Sequence, residues 1–377
     1  MSQWIKTKLG EIVILNYGKA LKAQDRNAGS IPVYSSGGLT GWHNKALINE
    51  QGIIIGRKGT VGKAYLTYGP FWCIDTAYYI LPNPSKYDFV FLFYLLKTLG
   101  LEELNEDSAV PGLNRDTAYS QEILLPSLPE QKAIASVLSS LDDKIDLLHR
   151  QNKTLESMAE TLFRQWFDVD SNDEWQEKNV LDIFTLVGGG TPKTSVAEYW
   201  TDEIPWISGG DISAAHQGYL YSTEKSISLA GLQNSSAKLL PKNSTVISAR
   251  GTVGKYALLA RDMAFSQSNY GIISKIGSYP FFIYLLVGFI VDDLLTAAYG
   301  SVFDTITTRT FESVNLKFPP LNSIEKFNEE ISPIFSKKET NTQQIKSLET
   351  LRDTLLPKLM SGEVRVQYAE EKLESVA

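Results

Sequence analysis

The sequence is poor in the residues that most often carry catalysis or redox chemistry. Cys73 is its single cysteine, so no internal disulfide can form and a reducing compartment is the expected setting. His43, His149 and His216 are its three histidines, and none has a metal-ligand spacing around it. The N-terminal stretch Met1-Ser2-Gln3-Trp4-Ile5-Lys6 has no apolar signal region. The longest apolar run, Pro280 to Val291, stops at Asp292-Asp293, short of the ~20 residues that cross a bilayer. These absences lead to the expectation of a soluble cytoplasmic protein without a membrane span. Catalytic signatures are missing too. There is no Asn-Pro-Pro-Tyr or Asp-Pro-Pro-Tyr methyltransferase motif, no Gly-x-Gly-x-x-Gly cofactor loop after a strand and no Gly-x-Ser-x-Gly nucleophile elbow. Carboxylates are plentiful, but no pair stands out as an acid–base or metal constellation.

Positive charge is also in short supply. The net charge is −7, with about +1 on residues 1–128 and −5 on residues 168–320. No basic tail is present. A nucleic-acid surface would have to be local, because phosphate binding needs a positive patch rather than a basic total. Modest DNA affinity is expected of the chain alone.

What the sequence does have is an internal repeat. Ile31-Pro32-Val33-Tyr34-Ser35-Ser36-Gly37-Gly38 returns as Ile204-Pro205-Trp206-Ile207-Ser208-Gly209-Gly210 at an offset of 173. Arg57-Lys58-Gly59-Thr60-Val61-Gly62-Lys63 returns as Ala249-Arg250-Gly251-Thr252-Val253-Gly254-Lys255 at 192. Leu125-Pro126-Ser127-Leu128 matches Phe318-Pro319-Pro320-Leu321 at 193. The single jump of 19 places an insertion between Asp211 and Ser244 of the second copy. Each copy has short β-rich runs that end in Gly turns, such as Gly52 to Ile55 and Ser244 to Ile247. Each then has one apolar core helix, near Tyr87–Leu99 and Tyr279–Leu295.

A long helix follows each globule. Ile134, Leu138, Leu141, Ile145, Leu148, Asn152, Leu155, Ala159, Leu162 and Trp166 alternate by four and three, a heptad seam of more than four heptads. Pro129 suits its first turn. The second seam, Ile334, Lys338, Asn341, Ile345, Leu348, Arg352, Leu355 and Leu359, is more polar. Pro333 and Pro357 are expected to interrupt it or mark its ends, and Gly362 to stop it. The two helices can bury their seams on each other and would run antiparallel if a pseudo-two-fold relates the repeats. Asn152 sets the register or else faces solvent where the seam frays.

The loop Gly56 to Lys63 invites a phosphate-loop reading and fails it. Five residues rather than four separate Gly56 from Gly62, and Ala64 stands where a magnesium-binding Ser or Thr is required. The better reading is a turn whose glycines permit positive φ. Its cations Arg57, Lys58 and Lys63, with Arg250 and Lys255 of the second copy, are candidate DNA contacts, as is Thr60 with its counterpart Thr252. Arginine takes the O6 and N7 of guanine bidentately or holds a phosphate, and solvated surface charge is the alternative. Ser35, Ser36 and Ser208 lie on a turn that either meets DNA or merely closes a strand. Gln233, Asn234, Gln267 and Asn269 offer amides of the kind that pair with adenine. Asn114 and Arg115 lie on the polar loop Val110 to Arg115, matched by Tyr299 to Asp304. Any of these segments can be an ordinary polar loop.

At this point the chain resembles the specificity subunits of type I restriction–modification enzymes. Leu128-Pro129-Glu130-Gln131 is similar to that family's entry to its first spacer helix, and Leu155-Glu156-Ser157-Met158-Ala159-Glu160-Thr161-Leu162-Phe163-Arg164-Gln165-Trp166-Phe167 to its continuation. Leu355-Leu356-Pro357-Lys358-Leu359-Met360-Ser361-Gly362-Glu363 is similar to its ending. Leu321-Asn322-Ser323-Ile324 departs from the Pro-Glu-Gln form at the second junction. The resemblance covers nearly the whole chain in the right order.

The expected fold is therefore α+β, with two similar target-recognition domains separated by two long helices in an antiparallel coiled coil. Residues 1–128 form the first domain, 129–167 the first spacer helix, 168–320 the second domain, 321–366 the second helix and 367–377 a tail. The resemblance implies a non-catalytic subunit that binds an asymmetric, split sequence in double-stranded DNA, one half-site per domain. It implies docking of two adenine methyltransferase subunits and, through them, restriction/translocase subunits. S-adenosylmethionine, ATP and magnesium then belong to the partners, and this chain needs no cofactor. Leu138, Leu141, Ile145, Leu148, Asn152, Leu155 and Leu162, with Ile345, Leu348, Leu355 and Leu359, would form the coiled coil and the docking frame. A first helix of roughly 57 Å exceeds one DNA turn of roughly 34 Å. The competing reading is a coiled-coil scaffold with paired ligand domains; a DNA-acting enzyme is a more distant one.

Overall fold

A computed structural model describes residues 4–104, 112–167, 175–299 and 305–366. The expected tail 367–377, residues 110–111 of the first polar loop and residues 300–304 of its counterpart lie outside the described residues. The chain divides into two compact units, one of Met1–Ile145 with Ser347–Ala377 and one of Asp146–Lys346.

The first unit runs β1 (Ile5–Lys8), α1 (Leu9–Ile12), β2 (Asn16–Tyr17), β3 (Ile31–Ser35), β4 (Gly38–His43), β5 (Gly52–Gly56), β6 (Ala64–Thr67), β7 (Trp72–Cys73), β8 (Ala77–Ile80), α2 (Phe89–Thr98), α3 (Arg115–Tyr119) and β9 (Glu122–Leu125). The long helix α4 (Leu128–Trp166) follows. Two sheets, β2-β8-β5-β6 and β4-β3-β7, form the body, and β1 pairs with β9. Helix α2 is apolar almost all round, the pattern of a helix sunk in a core. Phe91, Leu92, Tyr94, Leu95 and Leu96 are buried. Its start is fixed by Asp88, whose carboxylate caps the N–H groups of Val90 and Phe91.

The second unit repeats the order: β10 (Gln176–Asn179), α5 (Val180–Ile183), β11 (Phe184–Gly188), β12 (Ile204–Ile207), α6 (Gly209–Ala214), β13 (Tyr219–Leu220), β14 (Lys225–Ile227), α7 (Leu229–Gln233), β15 (Leu239–Leu240), β16 (Thr245–Ser248), β17 (Tyr256–Leu259), β18 (Met263–Phe265), β19 (Asn269–Ser274), α8 (Pro280–Ala298), α9 (Thr308–Glu312), β20 (Asn315–Phe318) and α10 (Leu321–Ser361). Its sheets are β11-β19-β16-β17-β13 and β14-β12-β18-β15. They are the first unit's two sheets, each with one more edge strand. The inserted segment supplies both additions: β13 pairs with β17, and β15 pairs with β18. It also supplies α7 and the end of α6. Helix α8 is long and apolar enough to cross a membrane by composition alone. Phe282, Tyr284, Leu286, Val287, Ile290 and Leu294 are nevertheless buried in the second unit's core, as expected of the repeat's core helix.

The long helices run antiparallel within each unit. In the first, Arg352 donates to Asp142 at 2.8 Å, and in the second, Asn152 donates to Thr342 at 3.1 Å. Residues of both long helices, inside and outside the expected seams, feed the globular cores. Ile134, Leu138 and Leu359 join the first, and Ala159, Phe163, Phe327, Ile331 and Phe335 join the second. Leu148 and Ile345 are buried, and Leu141, Leu155, Leu162, Leu348 and Leu355 are half-buried. Pro333 and Pro357, expected to interrupt the second helix or mark its ends, do neither: α10 runs unbroken from Leu321 to Ser361. Both prolines sit on the exposed face, where the lost N–H bond is borne next to water, while Ile331 and Phe335 stay packed below. Gly362, with φ +76°, ends the helix as expected.

The Leu-Pro-Glu-Gln junction has a physical role. Gln131 accepts from the Asp88 N–H at 2.8 Å and donates to the Pro126 carbonyl at 2.9 Å, tying the start of α4 to the start of α2. Glu130 accepts from the Trp4 indole at 3.1 Å and pairs with Arg365 at 2.6 Å.

Burial pushes the Cys73 thiol up to about 12. At pH 8 it is therefore almost wholly protonated in the folded chain, and the thiolate is the reactive form. A chromogenic disulfide reagent is expected to find no reactive thiol at pH 8 in the native protein and one after denaturation. Prompt stoichiometric reaction of the native chain would show that this core is not closed.

Candidate nucleic-acid interface

The recurring loop is built the same way in both units. In the first, the Gly56 N–H donates to the Lys63 carbonyl and the Gly62 N–H to the Gly56 carbonyl, both at 2.9 Å. In the second, Ser248 donates to Lys255 at 2.8 Å and Gly254 to Ser248 at 3.0 Å. Gly59 and Gly62 have φ of +81° and +77°, and Gly251 and Gly254 of +77° and +79°. Only glycine adopts this backbone readily, so the glycines serve the turn. Each loop is also bound by a segment far along the chain: Leu113 donates to the Arg57 carbonyl at 2.8 Å, and Ile306 to the Ala249 carbonyl at 3.1 Å.

On the first unit this frame carries a cationic cleft of about 340 Å³, lined by Tyr17, Arg57, Lys58, Tyr78, Gly112 to Arg115 and Asp116. It unites four residues singled out in the sequence: Arg57, Lys58, Asn114 and Arg115. The Arg57 guanidinium lies 4.9 Å from the Tyr17 ring centre and donates to the Asp75 carbonyl at 3.0 Å. Arg115 lies 5.4 Å from the same ring, and its Nε is buried without a partner. Asn114 caps α3, accepting from the Asp116 N–H at 2.8 Å. The turn with Ser35 and Ser36 adjoins the loop: the Ser36 N–H donates to Thr76, whose carbonyl accepts from Arg57 and Lys58. Ser36 is buried and Thr60 exposed. Lys63 falls outside this cleft and lines a separate cavity of about 280 Å³ with Glu102 and Glu103.

The second unit keeps the loop without the clamp. In the sheet pairings Gly188 stands at the position of Tyr17, and in the loop alignment Ala249, itself buried, stands at that of Arg57. Thr308 matches Arg115 at the offset of 193. Arg250 is exposed, and Thr252 donates to the Gly209 carbonyl at 3.1 Å. Lys255 lines a cavity of about 350 Å³ with Glu160, Arg164, His216 and Asp292. Burial, then Lys255, pushes the imidazole of His216 below its ordinary range.

Several polar candidates in this unit are already engaged. Ser208 caps α6 in a reciprocal box with Asp211. Asn269 is buried and donates to Ser266 at 2.9 Å. Asn234 closes α7, donating to Ala230 at 2.9 Å. Gln267 is exposed and pairs with Thr191, while Gln233 is exposed on α7. Sequence reasoning missed Tyr17 and Tyr78; an isolated tyrosine has no spacing to reveal it, although Tyr78 does recur as Tyr270.

A polar core joins the long helices in the second unit. Lys338 is 3% exposed and pairs with Glu156, which also accepts from the Tyr284 hydroxyl at 3.0 Å. Desolvation by burial pushes the Lys338 ammonium down to about 8. Asn341 donates to Asn152 at 3.0 Å. Asn152 thus faces the partner helix, the register-setting alternative of the two open in the sequence.

Comparison with known proteins agrees with this architecture. The model described as type I restriction modification DNA specificity domain matches residues 1–157 and again 172–350. The chain belongs to the type I restriction–modification DNA specificity family. Its members are the non-catalytic DNA-recognition subunits of their systems. The MjaIX specificity subunit of Methanocaldococcus jannaschii is 28% identical over 302 residues, covering 74% of this chain and 69% of that protein. The HindI specificity subunit of Haemophilus influenzae is 22% identical, covering 78% and 81%. The crystal structure of a type I S subunit from M. genitalium superposes with a TM-score of 0.64 at 16% identity, over 95% of this chain and 96% of that one, a likeness of fold. Among the described residues no three His, Cys, Asp or Glu side chains gather as a metal site.

Proposed function

We propose that this specificity subunit reads an asymmetric, split DNA sequence, one half-site per globule, and docks two adenine methyltransferase subunits along its helices. Motor-nuclease subunits join through that complex. The observation that carries the reading is one loop frame, built twice from the same glycines and carbonyl bonds, holding unlike side chains. The first copy holds the Tyr17, Arg57 and Arg115 cleft; the second holds Arg250 and the inserted segment. Identical frames with unlike contacts suit two unlike half-sites. Helix α4, with 39 residues, extends about 58 Å and exceeds a DNA turn of about 34 Å. The base to be methylated must leave the stack, and the pocket for it belongs to the partner. S-adenosylmethionine, ATP and magnesium are likewise bound by the partner subunits rather than by this chain. The complex works in the cytoplasm.

The test is the genome-wide adenine methylation pattern in cells with and without this chain. A split, asymmetric motif is expected that vanishes on deletion. Replacing residues 1–128 with the matching domain of a relative is expected to change one half of the motif only. A change in both halves, or in neither, would sink the modular reading.

A further inference from the structure

We infer that Arg57 determines specificity in the first half-site, where it reads a guanine from the cleft it shares with Arg115. The inference rests on the DNA-recognition reading above and assigns the base and the side chain.

Three observations lead there. The first is preorganisation. Arg57 is held by the Asp75 carbonyl at 3.0 Å and packs 4.9 Å from Tyr17 and 5.7 Å from Tyr78. A phosphate contact requires only charge near an anion, which a mobile lysine supplies. Base readout requires a fork fixed in plane and direction. The Asp75 contact uses Nη1, so the edge formed by Nε and Nη2 remains for a bidentate acceptor pair. In the major groove the O6 and N7 of guanine are that pair.

The second is charge. Among the described residues, Arg57, Lys58 and Arg115 face the cleft against one carboxylate, Asp116. Arg115 also keeps a buried Nε without a partner beside Tyr17. Such a cleft selects edges rich in acceptors and disfavours the amino groups that adenine and cytosine present.

The third is the contrast between the repeats. The main features that shape the loop recur: the positive-φ glycines, the closing carbonyl bonds and the strut from Leu113 or Ile306. The clamp does not, since Gly188, Ala249 and Thr308 stand in its place. A frame that folds without the clamp does not need it for folding. What differs between two otherwise equal frames is what makes their half-sites differ.

The experiment is methylome sequencing in cells that carry this chain with the methyltransferase subunit of its own genome and no other adenine methylation. The wild type is compared with Arg57→Ala, Arg57→Lys and Arg57→Met. Methionine keeps a packing stem over Tyr17 without the fork, so it answers the question even if alanine unsettles the fold. Loss of one bidentate pair is worth about 5- to 150-fold in discrimination. The expected result is that one G·C position in the first half of the motif becomes permissive by that factor in the alanine and methionine variants. Lysine does not restore it, and the second half is unchanged. Uniformly weaker methylation with the motif intact, rescued by lysine, would make Arg57 a phosphate contact and overturn the inference. So would an unaltered motif in Arg57→Met. A wild-type chain that directs no split motif would instead overturn the proposed function.

Discussion

Lys338→Met is expected to lower the stability of the chain by about 3–5 kcal/mol, and Glu156→Gln added to it to recover most of the loss. Lys338 and Glu156 are 3% and 8% exposed. Each was stripped of water on folding, and each is satisfied mainly by the other. Removing the ammonium alone leaves a buried carboxylate whose remaining named partner is the Tyr284 hydroxyl. The Gln217 carbonyl, which accepts from Lys338 at 3.2 Å, loses a donor as well. In the double variant the glutamine oxygen can still accept from Tyr284, and no charge is stranded. Urea midpoints of the four proteins in the cycle measure the coupling directly. Equal losses in Lys338→Met and in the double variant would mean that the cost is packing rather than charge. Because the pair joins both long helices to α8, the single variant is also expected, under the proposed function, to impair recognition by the second globule.

Gly62→Ala is expected to cost about 2–5 kcal/mol, and the matching Gly254→Ala only about 1–2 kcal/mol. Both glycines hold positive φ, so both substitutions bear the left-handed penalty of an L residue. The difference lies in what the new Cβ meets. At Gly62 it would sit 2.3 Å from the backbone nitrogen of Glu102 and the carbonyl carbon of Leu101, which move only with the segment after α2. At Gly254 it would sit 2.9 Å from a Leu295 methyl, which can rotate away. Thermal midpoints of the two variants make the comparison, and equal shifts would contradict it. A displaced Gly62 loop should also move Arg57, so under the proposed role of Arg57 a loss of base preference is expected to accompany the larger shift.

These cases show where the sequence was legible. The four loop glycines were readable because positive φ is a local demand that one residue type meets best. The heptad seam was readable because its period is a property of neighbours three and four apart. The prolines of α10 misled because a proline penalty depends on which face the ring occupies, and tertiary packing set that. Ser208, Asn234 and Asn269 looked like free polar groups for the same reason; their partners, Asp211, Ala230 and Ser266, are visible only in the folded chain. Arg57 and Arg115 were each singled out, yet nothing in their spacing placed them over one ring. The bond from Leu113 to the Arg57 carbonyl does that, and Tyr17 enters from a third segment.

By itself, then, the sequence determined the repeat, the α+β class, the helical spacers and the family. The repeat rests on matched segments, the spacers on short-range periodicity, the turns on glycine's backbone freedom, and the family on a resemblance of motifs. Only the tertiary structure decided which cations converge, which amides are already engaged and how a charged seam is held in a core. Hydrogen-bond satisfaction and desolvation are set by groups distant in the chain, and spacing alone does not record them.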